Sequence, residues 1–496
     1  MGNNPTKPDL FRKNLGLFHS LLTCLSLVLK FVVGLTRSYL QNMMRQVALR
    51  GLRAATAGRN AANKVRLVAP AARWMSTTAT DAKAATGSSA SVIGETDYSI
   101  EDDTVHMTGQ GLKPVTNTME FVDTAEQEAW PVYRILGREG NLIDGCTAPE
   151  NIGEEQLTAW YKMMIRIQVL DDIFYNAQRQ GRISFYMQNA GEEATHIGSA
   201  SALGPDDVVF AQYREVGILL YRGFTLQQAA DQCFSNEMDL GKGRQMPVHY
   251  GSNELNYQTI SSPLATQLPQ AVGAAYALKR EGKKACTICY FGEGAASEGD
   301  FHAALNFAAT SESPVIFFCR NNGYAISTPV QDQFRGDGIV SRAAGYGMKA
   351  IRVDGNDIFA VHQATAEARR IAIEEQRPVL IEAMSYRRGH HSTSDDSTRY
   401  RSGAEIKHWQ DNLDPVKRTR AYMESKGWWT EDDEKKIRDE ERVAVMDALT
   451  TAETRPKPNV DLLFTDVYKE IPEHLIKQQQ ELRDHMAKYP EHYEQH

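Results

Sequence analysis

The chain has 496 residues, 42% of them apolar and 24% charged, with a formal net charge of −8. That length accommodates two or three average domains, or one large α/β domain with appendages, and is ample to bury a sizeable core. Residues 1–80 hold 12 Lys/Arg against one acid, Asp9, which leaves 43 basic and 62 acidic residues in the body; an acidic body excludes nucleic acid as a main partner, because such binding depends on cations that neutralise phosphates.

In chain order, residues 15–35 come first. LGLFHSLLTCLSLVLKFVVGL is 21 residues long, close to the ~20 apolar residues that span a bilayer. Lys30 near one end would snorkel. An anchor there conflicts with the segment behind it. Met43 to Thr80 has seven Lys/Arg, no acid and much Ala, Ser and Thr, the composition of a mitochondrial transit peptide. The expectation is therefore that translation starts at Met43 or Met44 and that no membrane segment belongs to the mature chain. Residues 1–80 are read as a targeting region. The serine-rich Ser76–Ser91 begins a flexible linker, and 81–150 is read as linker and extended arm, irregular around Pro114, Pro131 and Pro149.

The first helix is predicted over about Glu155–Gln180. Leu157, Trp160, Met164, Ile167, Leu170 and Phe174 recur at three- and four-residue steps, and Gly181 is a plausible stop. In GEEATHIGSASAL, Glu192 and His196 are four apart; with no third ligand nearby they are read as a surface pair on a helix. DVVFAQYRE ends an apolar run at Tyr213 and Arg214. Ser262–Arg280 reads as a small-residue helix. Strands follow to Phe291, over Pro314–Cys319, Lys349–Val353 and Pro378–Ser385, with helices from about Ser297 and over Phe359–Glu375. Cys286 and Cys289 sit inside the apolar run CTICYF and read as buried thiols. Strands alternating with helices of 10–18 residues predict a parallel sheet flanked by helices on both faces. The α/β domain is assigned to 151–402 and a charged, helical C-terminal region to 403–496.

In such sheets ligands sit beyond the carboxyl ends of the strands. Two strand ends stand out. One apolar run ends in Gly-Glu-Gly at Gly292–Gly294, another in Asn-Asn-Gly at Asn321–Gly323, and Glu293 and Asn322 lie 29 positions apart. That is about one strand–helix–strand unit. The pairing brings two oxygen ligands to one edge of the sheet, suited to Mg²⁺ carrying a diphosphate. Glu293, Asn322 and the Tyr324 carbonyl would be the protein's ligands, with Arg214 and Arg320 forking onto phosphate oxygens. The glycines would admit the backbone close to phosphate, and Ser297 with Asp300 has capping-box spacing. A dinucleotide fold is the bland alternative to GEGAAS; it lacks the third glycine and an acid at the end of the next strand.

The Gly-Glu-Gly to Asn-Asn segment resembles the thiamine diphosphate (ThDP) fingerprint. From about residue 100 onward the chain resembles the alpha subunits of the thiamine-dependent decarboxylating component of 2-oxo acid dehydrogenases. AQYREVG, GKGRQMPVHYGS and YRRGHHSTSDDSTRYRS bring it nearer the branched-chain 2-oxo acid dehydrogenases than the pyruvate enzymes. The resemblance implies oxidative decarboxylation of branched-chain 2-oxo acids and reductive acylation of a lipoyl group. It implies cofactor contacts at Tyr213, Arg214, Ser262, Gly294, Ala295, Arg320 and His391, with His391 rather than His390 handling protons. It also implies a structural K⁺ at Ser261, Pro263, Thr266 and Gln267, for which polar helix capping is the alternative, and regulatory phosphorylation of Ser392 and Ser402. Only one diphosphate half-site is visible, so a separate beta subunit in an α₂β₂ heterotetramer is expected. A lipoyl-bearing transacylase, a regulatory kinase and phosphatase, and residence in the mitochondrial matrix follow from the same resemblance. A pyruvate or other 2-oxo acid relative, and a non-catalytic binding subunit, are the competing readings.

Overall fold

A computed structural model describes residues 104–107, 111–123 and 127–493; the targeting region, the 15–35 segment and the serine-rich linker lie outside the described residues. The chain divides into two units, Met1–Thr116 and Asn117–His496. In the first, β1 (Thr104–Met107) and β2 (Gly111–Pro114) form an antiparallel hairpin with Thr104 opposite Pro114.

The second unit opens with β3 (Val132–Tyr133), α1 (Glu154–Arg179), α2 (Glu193–Ala200), β4 (Val208–Phe210), α3 (Val216–Tyr221), α4 (Leu226–Phe234), β5 (Tyr257–Gln258) and α5 (Gln267–Arg280). It continues with β6 (Thr287–Gly292), α6 (Gly299–Ser311), β7 (Val315–Asn321), β8 (Tyr324–Ala325), β9 (Thr328–Pro329), α7 (Val330–Gln333), β10 (Lys349–Asp354), α8 (Ile358–Glu374) and β11 (Val379–Met384). Four C-terminal helices follow: α9 (Gly403–Asn412), α10 (Pro415–Ser425), α11 (Glu431–Thr454) and α12 (Glu473–Lys488). Seven strands form one sheet in the order β3-β10-β11-β7-β6-β4-β5, every neighbouring pair parallel.

The apolar strands are buried on both faces, which is why their sequences run continuously hydrophobic instead of alternating. Ile288, Tyr290, Ile316, Phe318 and Ile381 point into one core, and Cys289, Phe291, Phe317, Cys319 and Leu380 into the other. Helices α2 and α8 pack together over the first face, α5 and α6 over the second. Cys286, just before β6, and Cys289 within it are buried, as their apolar setting predicts. Helix α1 carries Glu154 and Glu155 in its first turn and Arg179 in its last, each complementing the helix dipole. All six of its predicted core positions are buried, and Tyr161, Ile165 and Ile173 are buried as well, because α11 covers it from outside. Tyr161 and Trp429 both donate to Glu434, and Arg166 forks onto Glu441 at 2.8 Å.

Several boundaries differ from expectation for local reasons. The helix read from Ser262 begins at Gln267, because Ala265 adopts a left-handed φ of 65° that no α-helix continues through. Ser297 does not cap the next helix. Glu293–Ser297 folds as a 3₁₀ turn, and α6 starts after Glu298, with no side-chain cap. The arm contributes an edge strand, β3, whose two residues are too short to show periodicity. Among the described residues, no helix is long and apolar enough to cross a membrane.

Asp357 ties the arm to the sheet layer. It caps α8 by accepting from Phe359 and Ala360 N–H at 3.0 and 3.2 Å, and it accepts from Ile135 and Leu136 N–H at 2.6 Å each. Asp357→Ala should cost about 1–3 kcal/mol, read as a lower thermal midpoint, whereas Asp357→Asn, which keeps an acceptor, should recover part of the loss.

Candidate functional site

The carboxyl ends of four neighbouring strands open into one cavity of about 360 Å³. The turn after β4 supplies Gln212, Tyr213 and Arg214; the end of β6 and the 3₁₀ turn beyond it supply Gly292, Glu293, Gly294 and Ala295; the segment after β7, including β8, supplies Asn322, Tyr324, Ala325 and Ile326; and the loop after β11 supplies Arg387 and His391. Arg320 within β7 joins them, with Ser262 and Leu264 from the segment before α5. Tyr213, Arg214, Ser262, Glu293, Gly294, Ala295, Arg320, Asn322, Tyr324 and His391, all selected from the sequence, therefore share one wall. Gln212, Leu264, Ala325, Ile326 and Arg387 were not selected; only Arg387 had a signal, as a cation two residues past a strand end.

Glu293 is buried, and its carboxylate accepts two long hydrogen bonds, from Asn322 N–H at 3.4 Å and Gln333 Nε2 at 3.3 Å. Burial pushes its carboxyl up, the condition of a carboxylate waiting for a cation. Among the described residues no three His, Cys, Asp or Glu side chains gather into a metal cluster; Glu293 is the one carboxylate among those lining the cavity, and with the amide of Asn322 and the carbonyl of Tyr324 it could offer oxygens of the kind Mg²⁺ takes. A Cβ on Gly294 would lie 2.7 Å from the Ala325 Cβ, while one on Gly292 would meet open space. Close approach thus requires the second glycine.

The cavity is cationic. Arg320 is fully buried and held by Glu192 and by Glu215, whose Oε1 lies 2.5 Å from its Nε. Arg214 donates to the carbonyls of Gln188 and His391. Arg387 donates to the carbonyls of Tyr324 and Ile326, and its buried Nε has no partner. Burial, and then Arg214, pushes Arg387 down to about 10. A buried guanidinium beside another cation, with a donor to spare, fits an anionic ligand such as a diphosphate.

His391 is held by its own N–H, which donates to Asp395 at 2.8 Å, and its ring meets Tyr213 edge-on at 5.9 Å. Burial first, then Arg214 and Arg387, lower its imidazole to about 3, so it faces the cavity neutral. His390 points away, its Nδ1 accepting from Ser397 N–H at 3.1 Å. In the proposed K⁺ segment, Thr266 Oγ1 donates to the Pro263 carbonyl at 3.1 Å and lies 3.4 Å from Ser261 Oγ, and Gln267 donates to the Tyr290 carbonyl. Thr266 is the N-cap residue of α5 but makes no side-chain capping bond. Ser392 is buried with its hydroxyl accepting from Ser394 N–H, and Ser402 is exposed and caps α9 through Glu405 N–H at 3.1 Å.

Glu192 and His196 correct the sequence reading. They are not a surface pair: both are fully buried, like every residue of α2. Gly198 admits that depth, since a Cβ there would come within 2.9 Å of Val361 on α8. Small residues in GEEATHIGSASAL were the available signal. Neither ring nitrogen of His196 has a partner, and burial lowers it to about 3.

The family model for the dehydrogenase E1 component matches residues 161–461. A chimpanzee (Pan troglodytes) protein named 2-oxoisovalerate dehydrogenase subunit alpha, mitochondrial, is 57% identical over 375 residues, covering 76% of this chain and 84% of the relative. The like-named Dictyostelium discoideum protein is 56% identical over 364 residues, covering 73% and 82%. Arabidopsis thaliana subunit alpha 1 is 53% identical over 379 residues, covering 76% and 80%.

His196 yields a pH test. It is neutral when folded and takes a proton below about 6.5 when unfolded, so its contribution is intact above that pH and is lost as pH falls toward about 3. The slope is about 1.4 kcal/mol per pH unit. His196→Leu should melt within a few degrees of the parent at pH 7.5 and show a shallower fall in thermal midpoint between pH 6.5 and 5.

Proposed function

This chain belongs to the dehydrogenase E1 component family, and from that membership we propose how its cavity serves the reaction. It is the alpha subunit of a mitochondrial, ThDP-dependent branched-chain 2-oxo acid dehydrogenase, an oxidoreductase that works with a beta subunit inside a larger complex. The relatives' shared 2-oxoisovalerate name favours this over a pyruvate enzyme or a non-catalytic subunit. The observation that carries the cavity assignment is the meeting of Glu293 with Asn322, whose backbone N–H lies 3.4 Å from the carboxylate, in the cavity that the arginines and His391 also line.

In our reading, Glu293, the Asn322 side chain and the Tyr324 carbonyl hold Mg²⁺, while Arg214, Arg320 and Arg387 meet the diphosphate and substrate carboxylate. Tyr213, Ser262, Gly294 and Ala295 shape the remaining cofactor surface. ThDP, when bound, supplies the nucleophilic carbon and the electron sink for loss of CO₂. His391, its imidazole depressed by burial and then by Arg214 and Arg387, accepts and returns protons on the substrate side once the ligand's negative charge offsets those two cations. Ser261, Pro263, Thr266 and Gln267 gather oxygens in the turn before α5, and we assign K⁺ there as a brace for that turn. The acyl group then passes to a lipoyl-bearing transacylase, and the alpha and beta chains assemble as α₂β₂. We propose the mitochondrial matrix as the compartment, with the basic head of the chain as its address.

We propose Ser392 and Ser402 as targets of a dedicated kinase and phosphatase. Ser392 is buried, so a kinase reaches it only when the loop opens. Phosphate adds nearly two negative charges next to His391 and Asp395, against the anionic substrate.

His391→Ala, co-expressed with the beta subunit, should assemble normally while turnover of 3-methyl-2-oxobutanoate falls by about 10²–10⁴-fold; a near-normal rate removes His391 from the chemistry. The parent complex should favour 3-methyl-2-oxobutanoate over pyruvate by roughly tenfold or more in kcat/KM. Equal or reversed preference would return the pyruvate reading.

A further inference from the structure

One carboxylate ties the β4 and β7 arms of the site together without lining the cavity. Glu192 occupies the N-cap position of α2 yet makes no capping bond with that helix; Glu193 instead accepts from Gly191 N–H at 2.9 Å. An acid at this position ordinarily turns to its own helix amides. Glu192 turns away, toward the strand ends. Its Oε1 accepts from Asn322 Nδ2 at 2.9 Å and lies 3.9 Å from Arg214 Nε, and its Oε2 accepts from Arg320. It is fully buried. Two guanidinium groups face it, so it stands as the ionised partner in a buried ion pair.

We infer that Glu192 is a positioning residue that decides which end of the Asn322 amide faces the metal, an inference that rests on the assignment of Mg²⁺ to Glu293 and Asn322. An ionised carboxylate only accepts hydrogen bonds. Facing Glu192, the Asn322 side chain must present its NH₂, which leaves Oδ1 beside the Tyr324 N–H at 3.3 Å as the end open to the cavity. Oxygen is the atom that Mg²⁺ takes. The same carboxylate steadies two arginines, so the cation site and the anion site share one buried pivot.

Glu192→Gln has the same shape and inverts this logic. Arg320 offers only donors, so it claims the single oxygen of the new amide. The remaining NH₂ then faces Asn322, whose amide must flip and turn its own NH₂ toward the metal. Partners that orient a metal ligand are typically worth 10–100-fold in affinity. Exchanging the roles, Glu192→Gln with Asn322→Asp, gives the NH₂ an acceptor and keeps an oxygen on the cation, at unchanged total charge.

The test is calorimetric titration of Mg²⁺ into the alpha–beta complex at fixed ThDP, with thermal midpoints recorded alongside. Glu192→Gln should raise the Mg²⁺ requirement 10–100-fold, and the exchanged double variant should restore it to within a few-fold of the parent. A purely structural role would lower the thermal midpoint in both variants and give no such recovery. Glu293→Gln is the control for the underlying assignment. If it abolishes Mg²⁺-dependent binding while Glu192→Gln leaves the requirement within twofold, the positioning role is overturned and the metal assignment stands. If Glu293→Gln changes nothing, both are overturned. Should Glu192→Gln fail to assemble, Asn322→Asp alone decides: two facing carboxylates should weaken Mg²⁺ binding, and a tighter site would overturn the inference.

Discussion

Arg320 is buried near the end of β7, and two carboxylates from separate loops close on its guanidinium. Glu215 comes from the turn after β4 and Glu192 from the start of α2. Such a group is stabilising only as a set: removing one partner typically costs 3–5 kcal/mol, whereas an apolar replacement of the whole set is often neutral. Its continued presence is thus better explained by what it holds than by what it contributes to stability. Glu215 also accepts from Gln212 N–H at 2.7 Å, and the Gln212 side chain accepts from Gly292 N–H at 3.1 Å. A single ionic knot thereby fixes the relative heights of three strand ends, and the cavity is the space between them.

A second layer reaches the site from the C-terminal helices. Arg401 sits over the rings of Tyr324, Tyr386 and Tyr400 at 5.3–5.8 Å, and donates to the carbonyls of Arg387 and Gly389. The hydroxyls of Tyr324 and Tyr386 both donate to Glu405 at 2.9 Å, and Tyr386 stacks on Trp409. These cation–π and charge-assisted contacts couple α9 to the loop that carries His391. The carbonyl of Tyr324 and the position of His391 accordingly depend on a helix that carries no residue of the cavity wall.

The unit from Thr287 to Asn321 was legible because its strands are buried on both faces, which leaves an unbroken apolar run, and because Gly and Asn mark where each run stops. The convergence of Tyr213, Glu293 and Asn322 followed from the rule that parallel strands release their ligands at one edge, whereas His391 came from the family resemblance. Glu192 was not legible. Its partners stand 22 to 130 positions away, and an acid beside a histidine reads as solvent-facing until a buried guanidinium is known to meet it. Ser297 misled because local capping chemistry cannot see a 3₁₀ turn inserted before the helix, and the two-residue strands carry too few side chains for any period.

The sheet ends on both sides in strands of two residues, β3 and β5, and beyond β5 the Ser252–Tyr257 bridge folds the chain back over that margin. Long, flat margins invite another chain to pair alongside them. Here the open ladder is too brief to template a visiting strand, so sheet augmentation is a closed route. Among the described residues, this sheet leaves a neighbouring subunit its helix faces and the loops above the strand ends, where the chemistry is.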